Sequence, residues 1–330
     1  MVRPSEIFLD FNAALKHLQE ENKASATAVS VLSGANKQEV AAFAQTWVRL
    51  PPERRRRVSQ MLVDLAEENI ELDFNPLFRY LLVDEDAQVR ALGIEGLWED
   101  EDTALVKPLI GFLRSDPNAR VRAAAADSLG RFLLLAEYGR LPQSPHADLI
   151  HAALLATVRS GAEDLIARCR AVEALGYSSR DAVRDVIADA YADGEAEMRA
   201  SAVVAMGHSA DGYWRKAVGA ELDSLDPRMR FEAVRAAAEL EFRGAVPRLI
   251  EMLDDTDREV QMATITALGQ IGGSAAKAAL EEAVESEDEV LRDLADEALQ
   301  ELRFSSDPNS LLFDLAPEEE LYEGEEEIDE

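Results

Sequence analysis

The sequence predicts an all-α fold, an α-solenoid (superhelix) in which helical hairpins stack side by side. Three observations predict it: one amphipathic helix pattern recurs at a fixed spacing, each copy opens on a helix-capping residue, and almost nothing in the 330 residues reads as strand. That length exceeds what one compact core usually holds, which favours several domains or an elongated array.

The pattern is clearest around Arg168, Arg199, Arg230, Gln261 and Arg292, each thirty-one residues from the next. Looser copies around Arg90 and Arg122 bring the total to seven. Four residues before each marker stands Asp86, Asn118, Asp164, Glu195, Asp226, Asp257 or Asp288. A short side-chain oxygen there accepts an orphan backbone N–H, so the column suits the helix N-cap, with Glu195 its weakest member. Pro227 after Asp226 fits the first helical position. Three residues after the marker come Gly93, Ala125, Ala171, Ala202, Ala233, Thr264 and Ala295. Six after it come Gly96, Ser128, Ala174, Ala205, Ala236, Ala267 and Ala298. These small residues share one helix face and let neighbouring helices approach closely. The following column, Leu97, Leu129, Leu175, Met206, Ala237, Leu268 and Leu299, supplies bulk. Gly130, Gly176, Gly207 and Gly269 come next, where either a left-handed cap or a tight helix contact suits glycine.

In chain order, residues 1–74 read as an irregular helical cap of degenerate repeats that hides the end of the core. Its run Arg54 to Arg57 raises a nucleic-acid hypothesis, against which stand the acidic chain and the simpler account of solvated arginines pairing with nearby acids. Residues 75–303 hold the seven copies, with second amphipathic segments such as "ALVKPLIGFLRS" and "AVPRLIEMLDD" between marker helices. The unit is thus a hairpin that buries its apolar face only against neighbouring copies. The step from Arg122 to Arg168 is forty-six, so an insertion extends a helix there and adds a loop at 141–145. Residues 304–330 read as a disordered acidic tail, with "SLLFDL" a possible apolar anchor on the last repeat or on another protein.

The frame D-x-x-V-R-x-x-A-x-x-A-L-G, followed by a short turn, resembles the short HEAT-like repeat of the phycobilisome-lyase-type group over about residues 75–302. The resemblance implies an α-solenoid whose second helices line a concave surface. It also implies a ladder of Asp and Arg side chains between adjacent repeats. The chain departs from the frame at Gln261, where the Arg is missing, and at Trp98 and Ala238, where the glycine is replaced. The ladder is expected to be interrupted at all three.

Function classes narrow by charge and by missing chemistry. With 65 acids against 34 Lys plus Arg, the formal charge of −31 argues against nucleic acid and anionic membrane and favours a protein partner with a neutral or basic surface. Cys169 stands alone, so no intrachain disulfide forms, and a reducing cytoplasm is the expected compartment. No apolar run spans a bilayer, and Glu6, Asp10 and Asn12 interrupt the N-terminal segment a secretory signal would need. His17, His146, His151 and His208 are not followed by Glu, so the His-Glu ligand pairs of HEAT-repeat di-iron hydroxylases are absent. Asp84, Asp86 and Glu95 echo a calcium loop that lacks its glycine, with Val89 in that place. His208, Ser209 and Asp211 adjoin without the sequence context of a triad. No catalytic residue, metal or cofactor is therefore expected.

What remains is a stripe two, five and nine residues after each marker, facing away from the small columns. In the central copies it reads Arg170, Glu173, Tyr177; Ser201, Val204, His208; Glu232, Arg235, Glu239; and Ala263, Thr266, Gln270. Arg170, Glu173, Tyr177, His208, Glu232, Arg235, Glu239 and Gln270 are the residues expected to bind a partner, since Tyr and Arg anchor many protein contacts. The expected function is a non-catalytic scaffold or adaptor. The alternative is a chromophore (bilin) lyase-type subunit, for which only Tyr177 and His208 offer themselves, and the linear sequence does not place them together.

Overall fold

A computed structural model describes residues 10–20, 25–141 and 145–306. The acidic tail beyond 306 and the middle of the insertion loop, 142–144, lie outside the described residues. Every regular element among the described residues is helical. The chain divides into two units, residues 1–209 and 210–330. The first contains α1 (Phe11–Gln19), α2 (Ala26–Ser30), α3 (Lys37–Trp47), α4 (Pro52–Glu68), α5 (Asn75–Leu81), α6 (Ala87–Glu95), α7 (Val106–Ser115), α8 (Ala119–Glu137), α9 (His146–Arg159), α10 (Leu165–Gly176), α11 (Ala182–Tyr191) and α12 (Ala196–His208). The second contains α13 (Arg215–Glu221), α14 (Pro227–Glu239), α15 (Val246–Glu251), α16 (Arg258–Ile271), α17 (Ser274–Ala283) and α18 (Glu289–Ser306).

Within each unit, helices alternate between two layers, as a solenoid of hairpins requires. The even-numbered helices α4, α6, α8, α10 and α12 pack in succession, and so do α14, α16 and α18. Odd helices form the other layer, with α3 on α5, α7 on α9 and α15 on α17. The marker arginines all sit on even helices. The stack already begins in the N-terminal segment, where α3 packs on α5 and α4 on α6. The insertion lengthens α8 to 19 residues before the chain turns into α9.

Capping follows the sequence column. Asp86 accepts from Gln88 and Val89, Asn118 from Arg120, Asp164 from Ile166, Asp226 from Arg228 and Asp257 from Glu259 and Val260. Asp288 accepts from Val290 and Leu291. Glu195 makes no side-chain cap bond, because its longer side chain does not fold back onto the first turn as Asp and Asn do.

The small columns lie where helices pack: Gly93 and Gly96 of α6 lie against Leu81 and Phe78 of α5, while Ala174 and Ala298 meet the glycines of the preceding even helices. Ala125, Ala171, Ala202, Ala233, Thr264 and Ala295 are all 0 % exposed. The Thr264 hydroxyl is satisfied by donating to the Val260 carbonyl at 2.7 Å. Of the two readings of the glycine column, close helix contact is the one realised. A Cβ on Gly130 would lie 2.9 Å from Ala174 Cα, and one on Gly269 would lie 2.9 Å from Ala298 Cβ. The left-handed residue comes later, at Ala210 (φ 49°), Glu241 (φ 44°) and Gly272 (φ 66°), again thirty-one apart.

Candidate functional site

Loops between the two layers are tied by the arginine markers. Arg90 donates from Nε to Asp116 at 2.9 Å and from Nη1 to the Asp84 carbonyl at 2.8 Å. Arg230 repeats this with Asp255 at 2.8 Å and the Ser224 carbonyl at 2.9 Å. Arg122 pairs with Glu163 at 2.7 Å across the insertion, and Arg168 reaches Asp193 only at 4.0 Å. Arg55 of α4 forms a matching rung with Asp84 at 3.0 Å, where Asp84 also accepts from Trp47 Nε1 at 2.7 Å. In the Arg54–Arg57 run, Arg56 pairs with Asp86 and Arg54 donates to the Leu18 and Gln19 carbonyls, so three of the four arginines hold the fold together.

The expected interruptions resolve unequally. At Gln261 the rung is lost: its amide keeps the carbonyl bond to Asp255 at 2.8 Å but reaches no acid. The expectation fails at Trp98 and Ala238, because the rungs of those repeats, Arg90–Asp116 and Arg230–Asp255, are intact. The glycine column spaces the C-terminal ends of the even helices, whereas the ladder lies at their N-terminal ends. The acid of the Arg55, Arg90 and Arg230 rungs stands two residues before the next cap and that of the Arg122 rung, Glu163, one residue before it; at the Gln261 rung the place two before the cap is Ser286. Introducing Gln261→Arg and Ser286→Asp together should add a rung. A double-mutant cycle in urea should give a favourable coupling of about 1–2 kcal/mol, whereas Gln261→Arg alone should change little.

On the even-helix face of the first unit, four of the expected binding residues converge. Tyr177 and His208 stack with ring centroids 4.1 Å apart and planes at 10°. The Tyr177 hydroxyl lies 3.2 Å from His208 Nε2, and His208 Nδ1 lies 3.0 Å from the Glu173 carbonyl. Glu173 is 4 % exposed, accepts from the Ser201 hydroxyl at 2.6 Å and pairs with Arg170. Burial raises its carboxyl pKa, with Arg170 and Ser201 opposing. A carboxyl with a raised folded pKa is disfavoured above that pKa, and its penalty disappears below the unfolded value. Wild-type stability should therefore rise, relative to Glu173→Gln, as pH falls from neutral toward the carboxylate range. At pH 7 Glu173→Gln removes the buried charge and keeps an acceptor for Ser201, so its stability relative to wild type should be greatest there and decline as pH falls. Urea denaturation of both proteins across pH 5–7 checks this.

In the second unit, Arg235, Glu239 and Gln270 line one shallow depression between α14 and α16, floored by Ala238, Ala263 and Ala267. The Arg235 guanidinium lies 5.8 Å from the Phe231 ring centroid and 3.4 Å from Glu232. Glu239 keeps solvent contact, yet the protein around it raises its pKa, with Glu232 adding to the effect and Arg235 opposing it.

The stripe as read in the central copies missed its continuation toward the N-terminus. Glu95 on α6 and Asp127 on α8 occupy the same column as Glu173, five residues after their markers, with Glu67 of α4 nearby. Glu95 is exposed, yet partial desolvation by the protein around it first, then Asp127 and Glu67, raises its pKa. The acids of the calcium-loop echo are divided, since Asp84 holds the first rung and Asp86 caps α6. No group of three or more His, Cys, Asp or Glu among the described residues forms a metal cage, and no helix there is long and apolar enough to cross a membrane. Cys169 is buried and its thiol pKa is raised by burial.

The family model for HEAT repeats matches residues 74–143 and 215–300. Among solved structures, the chain is similar to YibA of Escherichia coli at 16% identity, over 73% of this chain and 96% of that one, with a TM-score of 0.42. It is similar to human deoxyhypusine hydroxylase at 20% identity, over 89% and 96%, with a TM-score of 0.31. It is also similar to yeast importin-β at 16% identity, over 90% and 42%, with a TM-score of 0.40. No curated protein matches the chain.

Proposed function

The chain carries HEAT repeats, and from that premise we propose that it is a non-catalytic scaffold that binds a protein partner along its even-helix face. The observation that carries the reading is the depression holding Arg235, Glu239 and Gln270, a small apolar floor rimmed by charged and amide groups. Helices held by ladder and caps need little ordering on binding, so a few anchors suffice for useful affinity. The formal charge of −31 favours a partner with a neutral or basic surface. Photo-crosslinking in the native cell tests this, with the probe at Gln270 on the even layer or at Lys107 on the odd layer. Protein adducts from Gln270 and none from Lys107 are expected. The reverse pattern overturns the reading, as does loss of every adduct when the chain stops at 306, because the tail would then be the binding element.

The bilin-lyase reading draws on one observation, the joining of Tyr177, His208 and Arg170 on one patch. Incubating the pure protein with a bilin decides it: a specific absorbance shift lost in Tyr177→Ala supports it, and no shift rejects it.

A further inference from the structure

One stretch of the even-helix face in the first unit combines an apolar floor with unpaired charge. Between α6, α8 and α10 lies a depression lined by Ala123, Ala124 and Ile166 and flanked by Glu95 and Asp127. Ile166 is 40 % exposed, an apolar side chain presented to solvent at the rim of the hollow. This chain pairs its loop acids with arginines at rung after rung, yet Glu95, Asp127 and the neighbouring Glu67 make no ion pair or hydrogen bond among the described residues. Two arginines stand at the edge. Arg170 is already neutralised by Glu173, leaving Arg120 as the one rim cation not held by a carboxylate. The hollow therefore carries an excess of negative charge over a methyl-lined floor.

We propose that this depression seats a lysine- or arginine-bearing segment of the partner protein, which specifies the chemistry of the scaffold reading above and rests on it. Long basic side chains lay an aliphatic stem on apolar surface while the cationic head stays wet and reaches for charge. Here the stem covers Ala124 and Ile166, and the head sits between Glu95 and Asp127. A cation there relieves the carboxylate repulsion as it binds, and a concave wall screens that gain less than open solvent does. An anionic segment meets like charge at the same place, so the site discriminates by sign.

A fluorescein-labelled peptide of four Lys-Ala repeats, titrated against the full-length protein by anisotropy, tests the proposal. Binding should weaken about tenfold in the double variant Glu95→Gln, Asp127→Asn and severalfold in Ile166→Ser. It should also fall as salt is raised from about 50 to 300 mM, over which the Debye length roughly halves, and a Glu-Ala peptide should not bind. Glu95 and Asp127 are exposed, so unchanged melting of the double variant verifies its fold. No binding to the wild type overturns the proposal. So does binding that the double variant leaves intact, as attraction to the acidic tail would. Either result alongside persistent crosslinking from Gln270 sinks this site alone, whereas loss of that crosslinking sinks the scaffold reading.

Discussion

Arg230→Ala should destabilise the second unit by about 3–5 kcal/mol, the range for removing one partner of a buried ion pair. The pair is nearly dry, with side chains 12 % and 8 % exposed, and doubly bonded, Nε and Nη2 reaching the two Asp255 oxygens at 2.8 and 2.7 Å. Truncation leaves a buried carboxylate without its counter-charge and orphans the Ser224 carbonyl that Nη1 satisfies at 2.9 Å. Arg230→Lys should recover only part of the loss, because an ammonium cannot make the two-pronged contact. Acid pH supplies a second check. The hydrogen bond from Arg230 holds the Asp255 pKa below the ordinary carboxylate value. That contribution is present above the unfolded value, about pH 4, and is lost as pH falls through the lowered folded value. The gap between wild type and Arg230→Ala should accordingly shrink below about pH 4. Hydrogen exchange over α14 to α16 reads the local effect, since unfolding of a repeat array need not be two-state.

What was legible in the sequence is what depends on near neighbours. A cap is made within three residues of its own helix, so the column from Asp86 to Asp288 could be read directly, including the weak member Glu195. The small-residue columns were legible because the period places them in register on stacked helices. The ladder is intact at the repeats of Trp98 and Ala238 because the glycine position lies at the C-terminal end of each even helix, away from the rung at the N-terminal end. Part of its signature is also present in the sequence: Asp84, Asp116, Asp193 and Asp255 each stand two residues before a cap, whereas Ala162, Ser224 and Ser286 hold that place in the other copies and Glu163, one residue later, supplies the acid to Arg122. Tyr177 and His208 are thirty-one residues apart, one period, and such a pair meets wherever neighbouring repeats stack. Glu95 and Asp127 stand five residues after Arg90 and Arg122, so the same column carries them, but their copies lie outside the strict thirty-one-residue register that begins at Arg168. Burial of Glu173 and the solvent contact kept by Glu239 depend on how tightly particular helices approach, and no period encodes that.

That approach distance can be tested at one glycine. Gly176→Ala should destabilise the first unit by about 2 kcal/mol, whereas Gly111→Ala should stabilise it by up to about 1 kcal/mol. Both positions are helical, so both variants gain the propensity of alanine over glycine, roughly 1 kcal/mol. They differ in what the new methyl meets. At Gly111, on α7, nothing lies within 4 Å of the added Cβ. At Gly176 it would sit 2.7 Å from the Ala205 carbonyl oxygen and 2.8 Å from Ala205 Cα, both backbone atoms that no rotamer change can move aside. Relief requires α10 and α12 to separate, and overpacking of this kind costs about 1–3 kcal/mol, here at the upper end because the obstacle is rigid. The same Cβ would lie 3.0 Å from His208 Cβ, so the separation would also open the Tyr177–His208 stack. Near-UV circular dichroism of the folded variant should show a changed tyrosine signal in Gly176→Ala and none in Gly111→Ala. Equal stability of the two variants would mean that the glycine column does not set the spacing of the even helices, and the small-residue account of the stack would fail with it.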